Sequence, residues 1–481
     1  MDIYDKYEAV IGLEVHAQLM TKSKIFAADS TTFGAAPNTQ VSPITLALPG
    51  TLPKLNHAVL NMAIKMGLAC GCDITRTNQF ARKNYFYADL PKGYQITQDK
   101  TPICTGGNIG IELNGTIRSI GLTRIHMEED AGKNNHELDP FFSLVDLNRA
   151  GVPLIEIVSE PEIRSSDEAY VYLTEIRKLV RYLDICDGNM EEGSMRCDAN
   201  ISIRLKGESK LNTRVEVKNM NSIRNVKRAI DGEIKRQIHL VENGGTVEQQ
   251  TRSFNPLDGS TFVLRSKEFA HDYRYFPEPD LPPVYISDNM LQKVKEEMPP
   301  LPKELFNKYT GLLGLSAYDA GVLTDEKEIA LFFEKLILYT KNVKAAANWV
   351  MGEVKSYLND NGVHINNFPL EPQKIAELIA MQDANQINSS AVKKLFSALL
   401  LQPKEDPKSL AEQMNLIQAN NADELYSWAR QALELYPAKV DEYKNGKKGI
   451  LGLFMGEVMK LSKGKADPKA ATVALQEMLD T

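Results

Sequence analysis

From Val10 to Leu19 polar and apolar residues take turns: Gly12, Glu14, His16 and Gln18 share one face, and Ile11, Leu13, Val15 and Leu19 the other. A period of two predicts a half-buried strand. The pattern returns where Asp198, Asn200, Ser202 and Arg204 oppose Ala199, Ile201, Ile203 and Leu205, and where Glu216 and Lys218 oppose Val215 and Val217. Residues 206–212 between these stretches are polar and turn-like, so the pair predicts a hairpin. Val145 to Gly151 and Pro153 to Pro161 alternate again. Polar residues thus mark one side of strand after strand, which predicts a large antiparallel sheet whose polar face lines a cleft.

Elsewhere the period lengthens. Asn56 to Leu68 places Val59, Met62, Ala63 and Met66 on one helical stripe. Ser165-Ser166-Asp167-Glu168 reads as a capping box, and Leu173, Ile176, Val180 and Leu183 follow at spacings of three and four. A helix over roughly Ser222 to Val241 carries Ile223, Val226, Ile230, Ile234 and Ile238 and stops at Asn243-Gly244-Gly245. These helices are expected to pack behind the sheet. After a proline cluster at 277–283, helical patterns such as Lys327 to Tyr339 and Val343 to Leu358 take over. A second break falls at 402–407. The pattern predicts an α+β chain with domains at 1–292, 293–404 and 405–481, the latter two helical.

The totals narrow the class. A net charge of −7 argues against coating nucleic acid by bulk electrostatics and still permits a local basic patch. Cysteines 70, 72, 104, 186 and 197 form no disulfide framework and suit a reducing compartment. Cys70-Gly71-Cys72 is half of a zinc motif without a second pair at ligand spacing. There is no apolar run of membrane-spanning length and no signal-peptide pattern, so a cytoplasmic protein without a membrane association is expected.

The candidate chemistry is dispersed. Glu14 and His16 point the same way on one strand, and both types ligate divalent cations. Glu128-Glu129-Asp130 sets three acids together, which repel one another unless solvated or bound to cations. Residues 82–95 interleave cations and tyrosines, a texture for phosphates and bases, or equally for an aromatic strand with snorkelling cations. Lysines 444–465 either grip RNA phosphates or merely end helices. No P-loop, Rossmann fingerprint or nucleophile elbow occurs. A metal-dependent phosphoryl-transfer or ligase sheet therefore ranks first, and a purely structural chain with a salt-bridged face second.

The motifs at 10–16, 82–87, 126–132, 144–161, 190–200, 272–280 and 444–468 occur in one order over essentially the full chain. In them the sequence resembles the GatB family, the B components of bacterial-type tRNA-dependent amidotransferases. The resemblance implies a cradle-shaped, glutamine synthetase-like catalytic domain, a helical middle domain and a YqeY-like tail. It implies ATP-dependent amidation of Glu-tRNA(Gln) or Asp-tRNA(Asn) through an acyl-phosphate. It also implies two partners in a heterotrimer: the amidase GatA, which supplies ammonia through a tunnel, and the small protein GatC. The amidase's own Ser–Ser–Lys signature is absent, so this chain is not expected to hydrolyse glutamine. A non-catalytic tRNA-binding scaffold is the competing expectation. Within the matched motifs, residue type nominates Glu14, His16, Glu128, Glu129, Asp198 and Glu216 for Mg²⁺. Lys83, Tyr85, Tyr87, Arg149, Ser194, Arg196 and Lys218 are nominated for ATP. Glu129, Lys83 and Arg149 are the expected catalytic residues, and Lys447, Lys448, Lys460, Lys463 and Lys465 the expected tRNA contacts.

Overall fold

The structure is a computed structural model that describes residues 3–136, 138–266, 273–417, 422–462, 464 and 466–480. The chain forms two compact units, Met1–Pro302 and Lys303–Thr481.

The strands that build the first unit are β1 (Tyr7–Gln18), β2 (Ala81–Asn84), β3 (Tyr94–Thr97), β4 (Thr116–Glu129), β5 (Pro153–Ser159), β6 (Met195–Leu205), β7 (Val215–Lys218), β8 (Gln250–Phe254) and β9 (Thr261–Ser266). A ten-stranded sheet runs β9-β8-β7-β6-β1-β5-β4 and is completed beyond β4 by the short strands Cys104–Thr105, Asp73–Ile74 and Asn108–Leu113. All its pairings are antiparallel except β7 with β8. The predicted hairpin forms: β6 and β7 pair with Asn200 opposite Glu216. Strands β2 and β3 lie outside this sheet and pair with Phe276–Pro277 in a three-stranded one.

The alternation does what its period requires. Ile11, Leu13, Val15 and Ala17 of β1 are fully buried, as are Ala199 and Ile201 of β6 and Val215 and Val217 of β7. They share one core with the apolar stripes of helices α1 (His57–Ala69), α2 (Ser166–Tyr182) and α3 (Ile223–Glu242). Burial of each such aliphatic side chain contributes roughly 1.5–3 kcal/mol. Ser165 caps α2 as predicted, its Oγ accepting the Glu168 N–H, and Ser222 Oγ caps α3 by accepting the Asn225 N–H, at 3.1 Å each. With the apolar side covered, the other face of the sheet keeps Glu14, His16, Glu156, Asp198, Glu216 and Lys218 half-buried.

One predicted strand stands apart. Residues 144–146 pair with Lys133–Asn135 and not with the large sheet. Asp146 Oδ1 there accepts the N–H groups of Asn38 and Asn148 at 3.0 Å, so its carboxylate closes a turn.

The second unit is helical. The expected helix from Val343 divides into Val343–Trp349, a π-helical turn at Val350–Val354 and Lys355–Asn361. It ends at Gly362, whose φ of 61° suits a residue without Cβ. Residues from Leu425 to Leu479 gather a core of their own around Ala429, Phe454, Val458 and Leu475.

Candidate active site

Sheet register sets the polar side chains in rows. His126 of β4, Glu156 of β5, His16 of β1 and Arg196 of β6 stand side by side on four adjacent strands. Beside that row Glu14 pairs with Asp198 and Asn200 with Glu216. Two groups of donors result, His16–Glu128–Glu156 and Glu14–Asp198–Glu216, and within each group the donor atoms lie within 4.8 Å of one another.

In the first group Glu156 Oε2 lies 3.4 Å from Nε2 of both His16 and His126. Glu128 approaches the same two imidazoles at 3.7 and 3.6 Å and accepts the Thr97 hydroxyl at 3.2 Å. Burial opposes charge on His16, yet the Glu156 and Glu128 carboxylates outweigh it and raise its pKa to about 9. Burial likewise opposes ionised Glu156, but His126, His16 and Lys83 hold it well below the usual carboxylate range. Glu128 is also held down, despite burial, by His126 and His16.

In the second group the Lys218 ammonium is ion-paired to Asp198 and lies 3.0 Å from Glu216 Oε1. Asn200 Nδ2 donates to Glu14 at 2.9 Å, and Thr251 Oγ1 to Glu216 at 2.8 Å. Burial raises the pKa of Glu14, and the neighbouring Glu156 and Asp198 raise it further. Burial works against the Lys218 ammonium, which Asp198 and Glu216 nonetheless stabilise.

Both groups open into one recess of about 670 Å³. Its wall carries Lys83, Tyr85, Tyr87, Tyr273 and Tyr275. The tyrosines meet edge to face with ring centroids 5.9–6.0 Å apart, and the Lys83 ammonium sits 4.9 Å over the Tyr273 ring. Burial disfavours that ammonium, but Glu128 keeps its pKa above the usual lysine value. Arg196 donates to Asp130 at 2.9 Å, and Gln18 donates to the same oxygen at 2.7 Å.

Of the residues nominated from sequence, Glu14, His16, Glu128, Asp198 and Glu216 converge, with Lys83, Tyr85, Tyr87 and Lys218 on the same recess. Arg196 borders an adjoining pocket that shares His16, Glu128 and Asp198. Three nominees do not join them. Glu129 follows Glu128 on a strand and therefore faces the other way. It pairs with Lys92 and accepts the Ile96 N–H at 2.8 Å, beside a separate cavity of about 110 Å³. Ser194 donates to Asp187 at 3.1 Å in the turn before β6. Arg149 donates to the carbonyls of Ala131 and Gly132 at 2.9 and 2.6 Å and reaches the site only through Asp130, 3.7 Å away.

Sequence reasoning left out Glu156, His126, Tyr273 and Tyr275. The signal for Glu156 was present: it is the polar member of the alternating run Leu154 to Val158. Of the tail lysines, Lys447 pairs with Glu442 (3.1 Å), Lys448 with Asp480 (2.9 Å) and Lys460 with Glu457 (3.1 Å). Their side chains stay 61–78% exposed. Lys463 and Lys465 lie outside the described residues, as does Asp272 of the 272–280 motif. Cys70 and Cys72 are buried, and Cys72 Sγ donates to the Gly106 carbonyl at 2.9 Å. Among the described residues no helix is long and apolar enough to cross a membrane.

Residues 9–292 match the family profile described as the GatB/GatE catalytic domain, and residues 331–479 match a GatB domain. A protein of Syntrophotalea carbinolica, named as the B subunit of aspartyl/glutamyl-tRNA(Asn/Gln) amidotransferase, is 48% identical over 474 residues, 98% of this chain and 99% of that protein. Proteins of the same name from Trichlorobacter lovleyi and Caldicellulosiruptor bescii are 49% and 46% identical, over 98% and 99% of this chain and 99% of each relative.

Proposed function

We propose that this chain, which belongs to the GatB/GatE family, is the component that amidates Glu-tRNA(Gln), Asp-tRNA(Asn) or both in an ATP-dependent amidotransferase. The observation that carries the reading is the convergence on one sheet face of two groups of carboxylates, one with an imidazole, bordered by basic and aromatic side chains.

A carboxylate is a poor electrophile until its oxygen becomes part of a leaving group. The aminoacyl side-chain carboxylate attacks the γ-phosphorus of ATP, and ADP departs. The nitrogen of ammonia then attacks the acyl carbon, and phosphate leaves with one of the original carboxylate oxygens. Two anions must meet in the first step, so the site has to supply positive charge.

The donor sets suit a divalent cation. Five carboxylates offer hard oxygen ligands of the kind Mg²⁺ takes, and the His16 imidazole also suits Mn²⁺. We place Mg²⁺ with His16, Glu128 and Glu156 and with Glu14, Asp198 and Glu216. Bound there, the cation offsets charge where phosphoryl oxygens and the acceptor carboxylate approach. His16 would hold the cation as a neutral imidazole. Lys83, Lys218 and Arg196 face the phosphates, and Asp130 fixes the direction of Arg196, with Arg149 behind it. Tyr85, Tyr87, Tyr273 and Tyr275 supply flat faces for a nucleoside. Ser194 and Glu129 have no direct part in this arrangement.

Ammonia reaches the chain from the glutamine-hydrolysing amidase GatA, and the small protein GatC completes the assembly in the cytoplasm. The helical tail 405–481 contacts the tRNA through Lys447, Lys448, Lys460, Lys463 and Lys465. The scaffold reading is not favoured, because a scaffold has no use for five carboxylates, two lysines and four tyrosines gathered around one recess. Co-expression with GatA and GatC, followed by an assay with Glu-tRNA(Gln) and Asp-tRNA(Asn) in parallel, tests the proposal. ATP-dependent formation of Gln-tRNA or Asn-tRNA is expected, and tRNA binding without amide formation would favour the scaffold.

A further inference from the structure

We propose that Lys218 is the resident counter-ion of the Glu14–Asp198–Glu216 group, and that its ammonium must leave these carboxylates before a divalent cation settles among them. The inference rests on the reading of that group as a cation site.

Three carboxylates with ligand oxygens within 4.8 Å of one another repel strongly if all are ionised and nothing positive lies between them. Lys218 answers this from within the same sheet. It leaves β7 on the same face as Glu216, two residues away, and it meets Asp198 across from β6. Its ammonium is ion-paired to Asp198 and 3.0 Å from Glu216, so it occupies ligand atoms that a cation would need. The neutral donors to this group behave differently. Asn200 holds Glu14, and Thr251 holds Glu216, each through one oxygen, and neither brings charge.

The ammonium and a divalent cation compete for Asp198 Oδ2 and Glu216 Oε1, and two positive charges that close to one another repel. The lysine has a flexible four-carbon stem and lines the recess itself, so it can withdraw toward the space where phosphate would lie. Cation entry is then an exchange: Lys218 releases two carboxylates and becomes available to an incoming anion. The first group differs, because Glu156 there meets the imidazoles of His16 and His126 in place of an ammonium.

The sign of the effect separates this role from a purely structural or purely phosphate-binding one. Removing the lysine charge should strengthen cation binding, although it weakens ATP binding. The test is Mn²⁺ titration of the full-length chain without ATP or tRNA, with free Mn²⁺ read by electron paramagnetic resonance. Wild type, Lys218→Met, Lys218→Gln and Lys218→Arg are compared, with Glu14→Gln marking the sites lost when this group is impaired. Lys218→Met should bind Mn²⁺ in this group at least about fivefold more tightly than wild type, and Lys218→Arg should not. Lys218→Gln carries the same expectation and keeps a polar side chain, should the methionine variant fail to fold. Unchanged or weaker Mn²⁺ binding in the neutral variants, with wild type binding normally, would overturn this inference alone. If no protein binds more Mn²⁺ than Glu14→Gln, the cation reading and this inference fail together.

Discussion

Glu156 Oε2 lies 3.4 Å from His16 Nε2, and sheet register places the two residues directly opposite each other on β5 and β1. Glu128 joins them in the first proposed cation-binding group, and the properties of that group lead to the first predictions.

Glu156→Gln keeps the shape of the side chain and removes the charge that holds His16 protonated. Mn²⁺ affinity of the full-length chain should fall about 10–100-fold at one site, by analogy with the loss of a charged ligand. In the reconstituted complex, ATP-dependent amide formation should fall with it. Electron paramagnetic resonance and single-turnover amidation check the two parts separately.

The cation-free protein should lose stability as pH rises from about 6.5. His16 has a folded pKa of about 9, against about 6.5 in an unfolded chain. A raised folded pKa contributes stability that is fully present below the unfolded value and is lost as pH climbs through the folded one. The loss should be on the order of 1–3 kcal/mol between pH 6.5 and 9. Thermal melts in chelator should show it, and His16→Gln should flatten the slope. Saturating Mn²⁺ should flatten it as well, because a ligating imidazole is already neutral.

Glu129 is expected to matter for a different reason than its neighbour. It is 2% exposed and paired with Lys92. Glu129→Ala leaves the half-buried Lys92 ammonium without its carboxylate and should cost about 1–3 kcal/mol of stability. Mn²⁺ affinity should stay within about twofold of wild type, since Glu129 belongs to neither donor group. Denaturant melts and the Mn²⁺ titration distinguish the two consequences.

These two glutamates also mark how far the sequence was legible. Period-two alternation located β1, β6 and β7 and the polar face they share, because alternation follows directly from strand geometry. The same rule separates Glu128 from Glu129, but it takes a known strand end to say which of three adjacent acids faces the cleft. His126 became a site residue only through pairing register, which also sets Glu156 between it and His16 by bringing β4, β5 and β1 together from distant parts of the chain. Local periodicity contains no information about which strands pair. The same gap explains Asp146, whose strand pairs with Lys133–Asn135 and not with the large sheet, while its carboxylate accepts from Asn38 and Asn148. Tyr273 and Tyr275 lay in a motif that the sequence singled out, yet the approach of Tyr273 to Tyr85 depends on a three-stranded sheet formed by segments nearly two hundred residues apart.

The tail makes a separate prediction. Lys447 and Lys448 are 71% and 61% exposed, and each is paired with one acid. Exposed pairs of this kind hold their partners weakly, so both lysines remain available to phosphates. Lys447→Glu together with Lys448→Glu should raise the KM for tRNA several-fold and leave the KM for ATP within about twofold. The salt dependence of tRNA binding should become shallower by roughly one to two counter-ions.

The acyl-phosphate is the central claim, and oxygen tracing tests it most directly. Glu-tRNA(Gln), or Asp-tRNA(Asn) if that is the substrate used, is prepared with ¹⁸O in both side-chain carboxylate oxygens. It is then converted by the reconstituted complex with ATP and glutamine, and the released phosphate is analysed by mass spectrometry. The mechanism predicts one ¹⁸O in phosphate for each amide formed. Amide formation with no ¹⁸O in the phosphate would contradict it.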